Sequence, residues 1–132
     1  MMSEFWARAF GIVNVTGLIP HEQIIEDHLR ELLETIRHDG VLRQPVIVDR
    51  ASMVILDGHH RVSAIKRLSC PLIPAYLVDY NDPSIVVHPR RADIPVDKES
   101  VVRTGLGGIP YPPLTSRHEW PSAPDCCPVA LP

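Results

Sequence analysis

The chain has 132 residues, with 13 Lys and Arg against 16 Asp and Glu, and a formal net charge of −3 with histidine neutral. That length suits one domain with a modest core. The near-even charge excludes the broad basic footprint that duplex DNA demands, leaving only a local basic patch around Arg61, Lys66, Arg67, Arg90 and Arg91.

No apolar run approaches membrane-spanning length, and Met1 to Gly11 lacks the charged start and long apolar middle of a signal peptide, so a cytoplasmic location is expected. Cys70 is isolated and Cys126-Cys127 are adjacent, which gives neither a disulfide framework nor a four-ligand zinc site. Residues 1–11 contain Phe5, Trp6 and Phe10 without a sustained period and are expected to be an N-terminal arm. Ile12, Val13 and Val15, closed by Gly17 and Pro20, predict a first short strand. His21-Glu22 then falls at a strand-to-helix corner. Ile25, Leu29, Leu32, Leu33 and Ile36 recur at helical spacing and predict an amphipathic helix over 23–38, stopped by Gly40.

Pro45 to Asp49 and Met53 to Leu56 read as two strands joined by a hairpin at Arg50-Ala51-Ser52. A helix follows from about Gly58 to Ser69. Leu72 to Val78 returns as a strand whose Pro74 belongs at an edge or bulge, and Ser84 to Val87 is a last short strand. Asp97 caps a short helix through about Thr104, ended by the glycines at 105, 107 and 108. From Pro110 onward, prolines at 110, 112, 113, 121, 124, 128 and 132 exclude regular structure, so Tyr111 to His118 is expected to be extended. The organisation is thus an arm over 1–11, one α/β (α+β) domain with a small mixed sheet over 12–120, and a Pro/Cys tail over 121–132, with the chain beyond Trp120 dispensable. Truncation after Pro110 is expected to abolish activity without unfolding the domain.

The chain is organised around Ile55-Leu56-Asp57-Gly58-His59-His60-Arg61, where a buried strand meets a helix through a tight turn. Asp57 is suited to cap that helix and Gly58 to a turn that a Cβ would hinder, which leaves backbone N–H groups facing outward. Outward N–H groups, the helix dipole, two imidazoles and a bidentate guanidinium suit a phosphate. Thr115, Ser116, Arg117 and His118 form a second anion-binding set. No Walker loop is present, and Gly105-Leu106-Gly107-Gly108 does not follow a strand. His21-Glu22 begins like a zinc-protease motif, but position 25 is Ile, so that chemistry is excluded on spacing.

Pro20-His21-Glu22, the Asp57–Arg61 turn with Ala64 after it, and Pro112-Pro113-Leu114-Thr115-Ser116-Arg117-His118 together resemble the free L-serine kinases of the ParB/sulfiredoxin-like fold, over roughly residues 12–120. The resemblance implies that Gly58, His59, His60 and Arg61 hold nucleotide phosphates, that Glu22 is the general base, and that Thr115, Ser116, Arg117 and His118 close over the site. The donor would be ATP or ADP and the acceptor a free amino acid, with L-serine expected. Two positions depart from the family pattern. His88-Pro89-Arg90-Arg91 stands where a Trp-Arg pair is common, and Leu114 stands where Lys is usual, which leaves another hydroxy amino acid open as acceptor.

Phosphoryl transfer to a hydroxyl needs a carboxylate near it, a divalent cation across the phosphates and positive groups around the transferred phosphoryl. Glu22 supplies the first, Asp57 is a candidate for Mg2+ or substrate orientation, and Arg61, His59, His60, Arg117 and His118 supply the third. The plain reading of Glu22 is a carboxylate stabilising a helix start. The competing function is a ParB-like nucleotide-binding regulatory or DNA-associated module without kinase activity, which would want a helix-turn-helix region where this chain has its proline-rich tail. A sulfiredoxin-like reductase ranks last, because Cys70 lies at the far end of the helix from the turn.

Overall fold

The computed structural model describes residues 4–121 and 128–131, so Cys126 and Cys127 lie outside the described residues. The elements run α1 (Glu4–Ala9), β1 (Phe10–Asn14), α2 (Glu26–Asp39), β2 (Val41–Leu42), β3 (Val46–Asp49), β4 (Ile55–Asp57), α3 (His59–Arg67), β5 (Leu72–Val78), β6 (Val86–Pro89), α4 (Lys98–Gly107), β7 (Ser116–Glu119) and β8 (Val129–Ala130). A 4-stranded sheet carries the order β1-β5-β3-β4, with β3 parallel to β5 and the other pairs antiparallel. This is the small mixed sheet expected, and no helix among the described residues is long and apolar enough to cross a membrane.

Because successive strand residues point to opposite faces, the continuous apolar runs of β3 and β5 feed two cores. Val46, Val48, Ile55, Ile73 and Ala75 meet Leu29 and Ile36 of α2 and Val62, Ala64 and Ile65 of α3. Ile47, Val54, Leu56, Tyr76 and Val78 face the other way, against Trp6, Tyr80, Ile85 and Val101. Each of these larger apolar side chains contributes about 1.5–3 kcal/mol on burial.

The arm at the start of the chain holds α1, whose Trp6 is buried with its ring 4.9 Å from Tyr76 and 5.8 Å from Trp120. Several expectations are corrected. The glycines at 105 and 107 do not stop α4, which ends at Gly108 in the left-handed conformation. A Cβ on Gly105 would come within 2.8 Å of Val54, so that glycine serves helix-to-sheet contact. Its start is as expected, with Asp97 and Ser100 forming a capping box.

Pro74 sits in an interior strand, not at an edge or bulge. Val78 O accepts from Arg50 N–H on the β3 side, so the two-residue alternation turns position 74 to that flank as well. Pairing with β3 begins only at Val46 opposite Ala75, beyond the missing N–H. The carbonyl of Gln44, left without a partner from β5, accepts from Arg61 Nη1 at 2.9 Å.

The prolines after 110 do not exclude regular structure either. Ser116–Glu119 forms β7, antiparallel to β6, and Val129–Ala130 forms β8 against β2. With Trp120 against Trp6, the segment after Pro110 is part of the core, so its removal is not separable from folding.

Candidate active site

Gly58 makes the site's turn. Its φ of +106° favours glycine, and a Cβ there would sit 2.7 Å from Val46 Cγ1. It is Gly58, rather than Asp57, that occupies the N-cap of α3, and no side chain caps that helix. The first-turn amides of α3 therefore look outward for an acceptor. Asp57 ends β4, half exposed, and accepts from Arg61 Nη2 at 3.1 Å. Arg61 Nη1 donates to the carbonyls of Gln44 and Pro45, both at 2.9 Å. The guanidinium expected to grip phosphates is thus largely a brace for the turn.

Residues 21–25 run extended instead of opening α2 at 23, because the tail straps them. Tyr111 N–H donates to His21 O and Gln23 N–H to Tyr111 O, both at 2.8 Å, in a parallel bridge. From the other side, His59 Nε2 accepts from the N–H groups of His21 at 3.1 Å and Glu22 at 3.3 Å. His60 Nε2 accepts from Ile25 N–H at 2.9 Å, supplying the cap that Ile25 itself lacks at the start of α2.

This strap places Glu22 against the tail. Glu22 Oε2 accepts the backbone N–H of Ser116 at 2.9 Å and its hydroxyl at 2.5 Å. His21, fully buried, donates from Nδ1 to Ile55 O at 2.6 Å, and its Nε2 meets Ser116 Oγ at 2.9 Å. Base candidate, phosphate turn and tail therefore meet at one place.

The sequence pattern of the ParB N-terminal domain matches residues 12–89. The chain belongs to the ParB N-terminal domain family. A protein from Staphylothermus marinus named ATP-dependent L-serine kinase is 37% identical over 78 residues, covering 56% of this chain and 31% of that protein. A ParB-like protein from Sulfolobus acidocaldarius is 47% identical over 75 residues, covering 57% of this chain and 37% of its own length. The chain thus spans about a third of the length of these curated relatives. Among solved structures, a free serine kinase in complex with AMP superposes with a TM-score of 0.83 at 14% identity, covering 93% of this chain and 91% of that one, a likeness of fold.

Two cavities of the chain share Glu22, Gln23 and His59. One, of about 310 Å³, is lined further by Asp57, Gly58, His60, Arg61, Arg90, Leu114 and Ser116. The other, of about 390 Å³, is lined by Pro20, Ile24, Ile55, Val62, Ser63, Lys66 and Pro110. A third, of about 140 Å³, adjoins the first through Asp57, Arg90 and Ser116 and adds Arg117 and His118. Thr115 is the sequence-identified residue that lines none of these. It is fully buried and its hydroxyl donates to Pro112 O at 2.6 Å, which shapes the tail's bend.

The imidazoles counted as positive groups are not uniformly so. Burial, reinforced by neighbouring His21, pushes His59 down to about 3, and the same causes push His118 down to about 3, so both are neutral near pH 7. Burial and the nearby His28 also lower His60. For Glu22, burial works upward, but hydrogen bonds from His21 and Ser116 prevail and hold it down to about 2, an ionised carboxylate. Positive charge comes instead from Arg90 and Arg117, with Lys66 in the second cavity and Arg61 engaged in bracing the turn. Arg90, like Lys66 in the second cavity, is a member of the basic patch that the sequence did not mark as part of the site. Arg90 follows β6, and its N–H donates to Thr115 O at 2.9 Å. Arg91, beside it, clamps the tail by donating to Pro113 O.

Proposed function

We propose that this domain transfers a phosphoryl group from ATP or ADP to the hydroxyl of a free amino acid, L-serine being the expected acceptor. The observation that carries the reading is Glu22, an ionised carboxylate held within the cavity that also opens onto the Gly58–Arg61 turn, Arg90 and Ser116. The names of the Staphylothermus protein and the superposed structure support the same chemistry.

In this mechanism the first-turn amides at Gly58, His59 and His60 receive phosphate oxygens, with the dipole of α3 behind them. Arg90 and Arg117 balance the charge of the transferring group. The acceptor hydroxyl loses its proton to Glu22 as its oxygen bonds to phosphorus, and the nucleotide leaves with one phosphate fewer. Serine hydroxyls are poor nucleophiles, so a fixed base is worth about two to four orders of magnitude in rate. Ser116 keeps Glu22 aimed until substrate arrives, and Thr115 holds the tail's bend.

Among the described residues no group of three or more His, Cys, Asp or Glu is placed to hold a metal ion by itself. Magnesium in phosphoryl-transfer sites is held by one or two carboxylates together with substrate phosphates and water. Asp57, a half-exposed carboxylate lining two of the cavities, fits that pattern. Asp57 would hold Mg2+, which would supply charge neutralisation for the transferring group.

The test is incubation of the protein with Mg2+, ATP or ADP and each free amino acid in turn, with mass spectrometry for a phosphoamino acid. O-phospho-L-serine is the expected product. The 47% identity to a ParB-like protein favours a second reading, a nucleotide-binding module without turnover, and nucleotide bound with no phosphoamino acid formed would select it.

A further inference from the structure

Tyr80 is outside the cavities that hold Glu22 and the phosphate turn, yet its hydroxyl meets His118 Nε2 at 2.8 Å. Both rings are fixed. Tyr80 is buried, with Lys98 Nζ 5.5 Å from its ring centroid, and His118 stacks on Trp120 at 5.2 Å with 13° between planes. Burial, with the carboxylates of Asp49 and Asp97 adding to it, raises the Tyr80 phenol above its usual value, so near neutral pH the pair is a phenol O–H and a neutral imidazole. One hydrogen bond joins them, and its direction follows from what would be left over. Were Nε2 the protonated nitrogen, the phenol proton would be buried without an acceptor, since Tyr80 has no other hydrogen-bond partner among the described residues. The phenol therefore donates to Nε2, and the imidazole's own proton sits on Nδ1.

We propose that Tyr80 is a positioning residue that fixes His118 as the Nδ1–H tautomer, so that a neutral imidazole offers an N–H donor to an oxyanion in the cavity between Asp57, Arg90 and Arg117. That cavity, about 140 Å³, has two arginines to balance the anion's charge. A neutral donor adds a hydrogen bond without placing a third cation beside them. The identity of the anion as a nucleotide or product phosphate rests on the kinase reading, whereas the tautomer and its capture of an oxyanion do not.

The experiment uses the full chain labelled with ¹⁵N-histidine and long-range ¹H–¹⁵N correlation near pH 7, with inorganic phosphate and then ADP as probes. Wild type should show His118 with a protonated Nδ1 and a bare Nε2. Tyr80→Phe, which keeps the ring and loses the hydroxyl, should release the Nε2–H form that free imidazole populates. Phosphate should shift His118 Nδ1 in the wild type and bind about 3- to 10-fold more weakly to Tyr80→Phe, the range for one hydrogen bond. A protonated Nε2 on His118 in the wild type overturns the proposal without need of any variant. So does an unmoved His118 Nδ1 at saturating phosphate and ADP. Phosphate capture at His118 with no phosphoamino acid formed would sustain this proposal while the kinase reading fails.

Discussion

Ser116 gives both its backbone N–H, at 2.9 Å, and its hydroxyl, at 2.5 Å, to the same oxygen of Glu22, across 94 positions of sequence. A carboxylate so held is ionised and fixed in direction, and its other oxygen is left to take a proton. The tail is therefore part of the site's electrostatics.

Ser116→Ala keeps the backbone N–H and removes the hydroxyl. Glu22 should then titrate above its wild-type value of about 2, read by side-chain ¹³C NMR. The lost bond to a charged acceptor should cost about 1.5–3 kcal/mol in denaturant unfolding. A Glu22 titration identical to wild type would show that the hydroxyl does not hold the carboxylate.

Arg61 and Arg90 should separate bracing from binding. Arg61→Ala strips donors from the Gln44 and Pro45 carbonyls and should lower unfolding free energy by about 1–3 kcal/mol. Arg90→Ala keeps the main-chain bond to Thr115 O and should leave stability near wild type, weakening ADP binding by about 10-fold or more in calorimetry. The opposite pattern, with Arg61→Ala stable but weak in binding, would return the phosphate grip to Arg61.

Acid should unfold the protein early. His59 and His118 are held neutral at about 3, below the usual 6.5, so the unfolded chain binds more protons between those values. Their contribution is full above pH 6.5 and is lost as pH falls through that window, by about 1.4 kcal/mol per pH unit for each. Glu22 adds its share, present above its usual 4.5 and lost on the way down to about 2. Denaturant midpoints measured from pH 8 to pH 4 should be flat above 7 and fall below about 6. Midpoints unchanged down to pH 4.5 would mean that the imidazoles are not held neutral.

Much of the fold was legible because it is written in local periods. The apolar stripe of Ile25, Leu29, Leu32, Leu33 and Ile36 marked α2, and Gly58 between a buried strand and a polar helix start marked the turn. What stayed hidden depends on partners distant in sequence. The Nε2 atoms of His59 and His60 are occupied by the backbone of 21–25, and Arg61 by carbonyls at 44 and 45. Prolines 112 and 113 masked β7 because the pairing that makes it a strand comes from β6, beyond any local window. Arg90 looked like one more surface charge until the tail folded beside it, and Pro74 misled because β3 begins one residue too late to need its N–H.

The central claim is that Glu22 takes the proton as a free amino-acid hydroxyl attacks phosphorus. The most direct measurement is ³¹P NMR of wild type and Glu22→Gln, each with Mg2+, L-serine and ATP or ADP at saturating nucleotide. Wild type should build up a phosphomonoester resonance that grows at least about 100-fold more slowly in Glu22→Gln, with nucleotide affinity little changed. Equal growth in both proteins, or none in a wild type that binds the nucleotide, would contradict it.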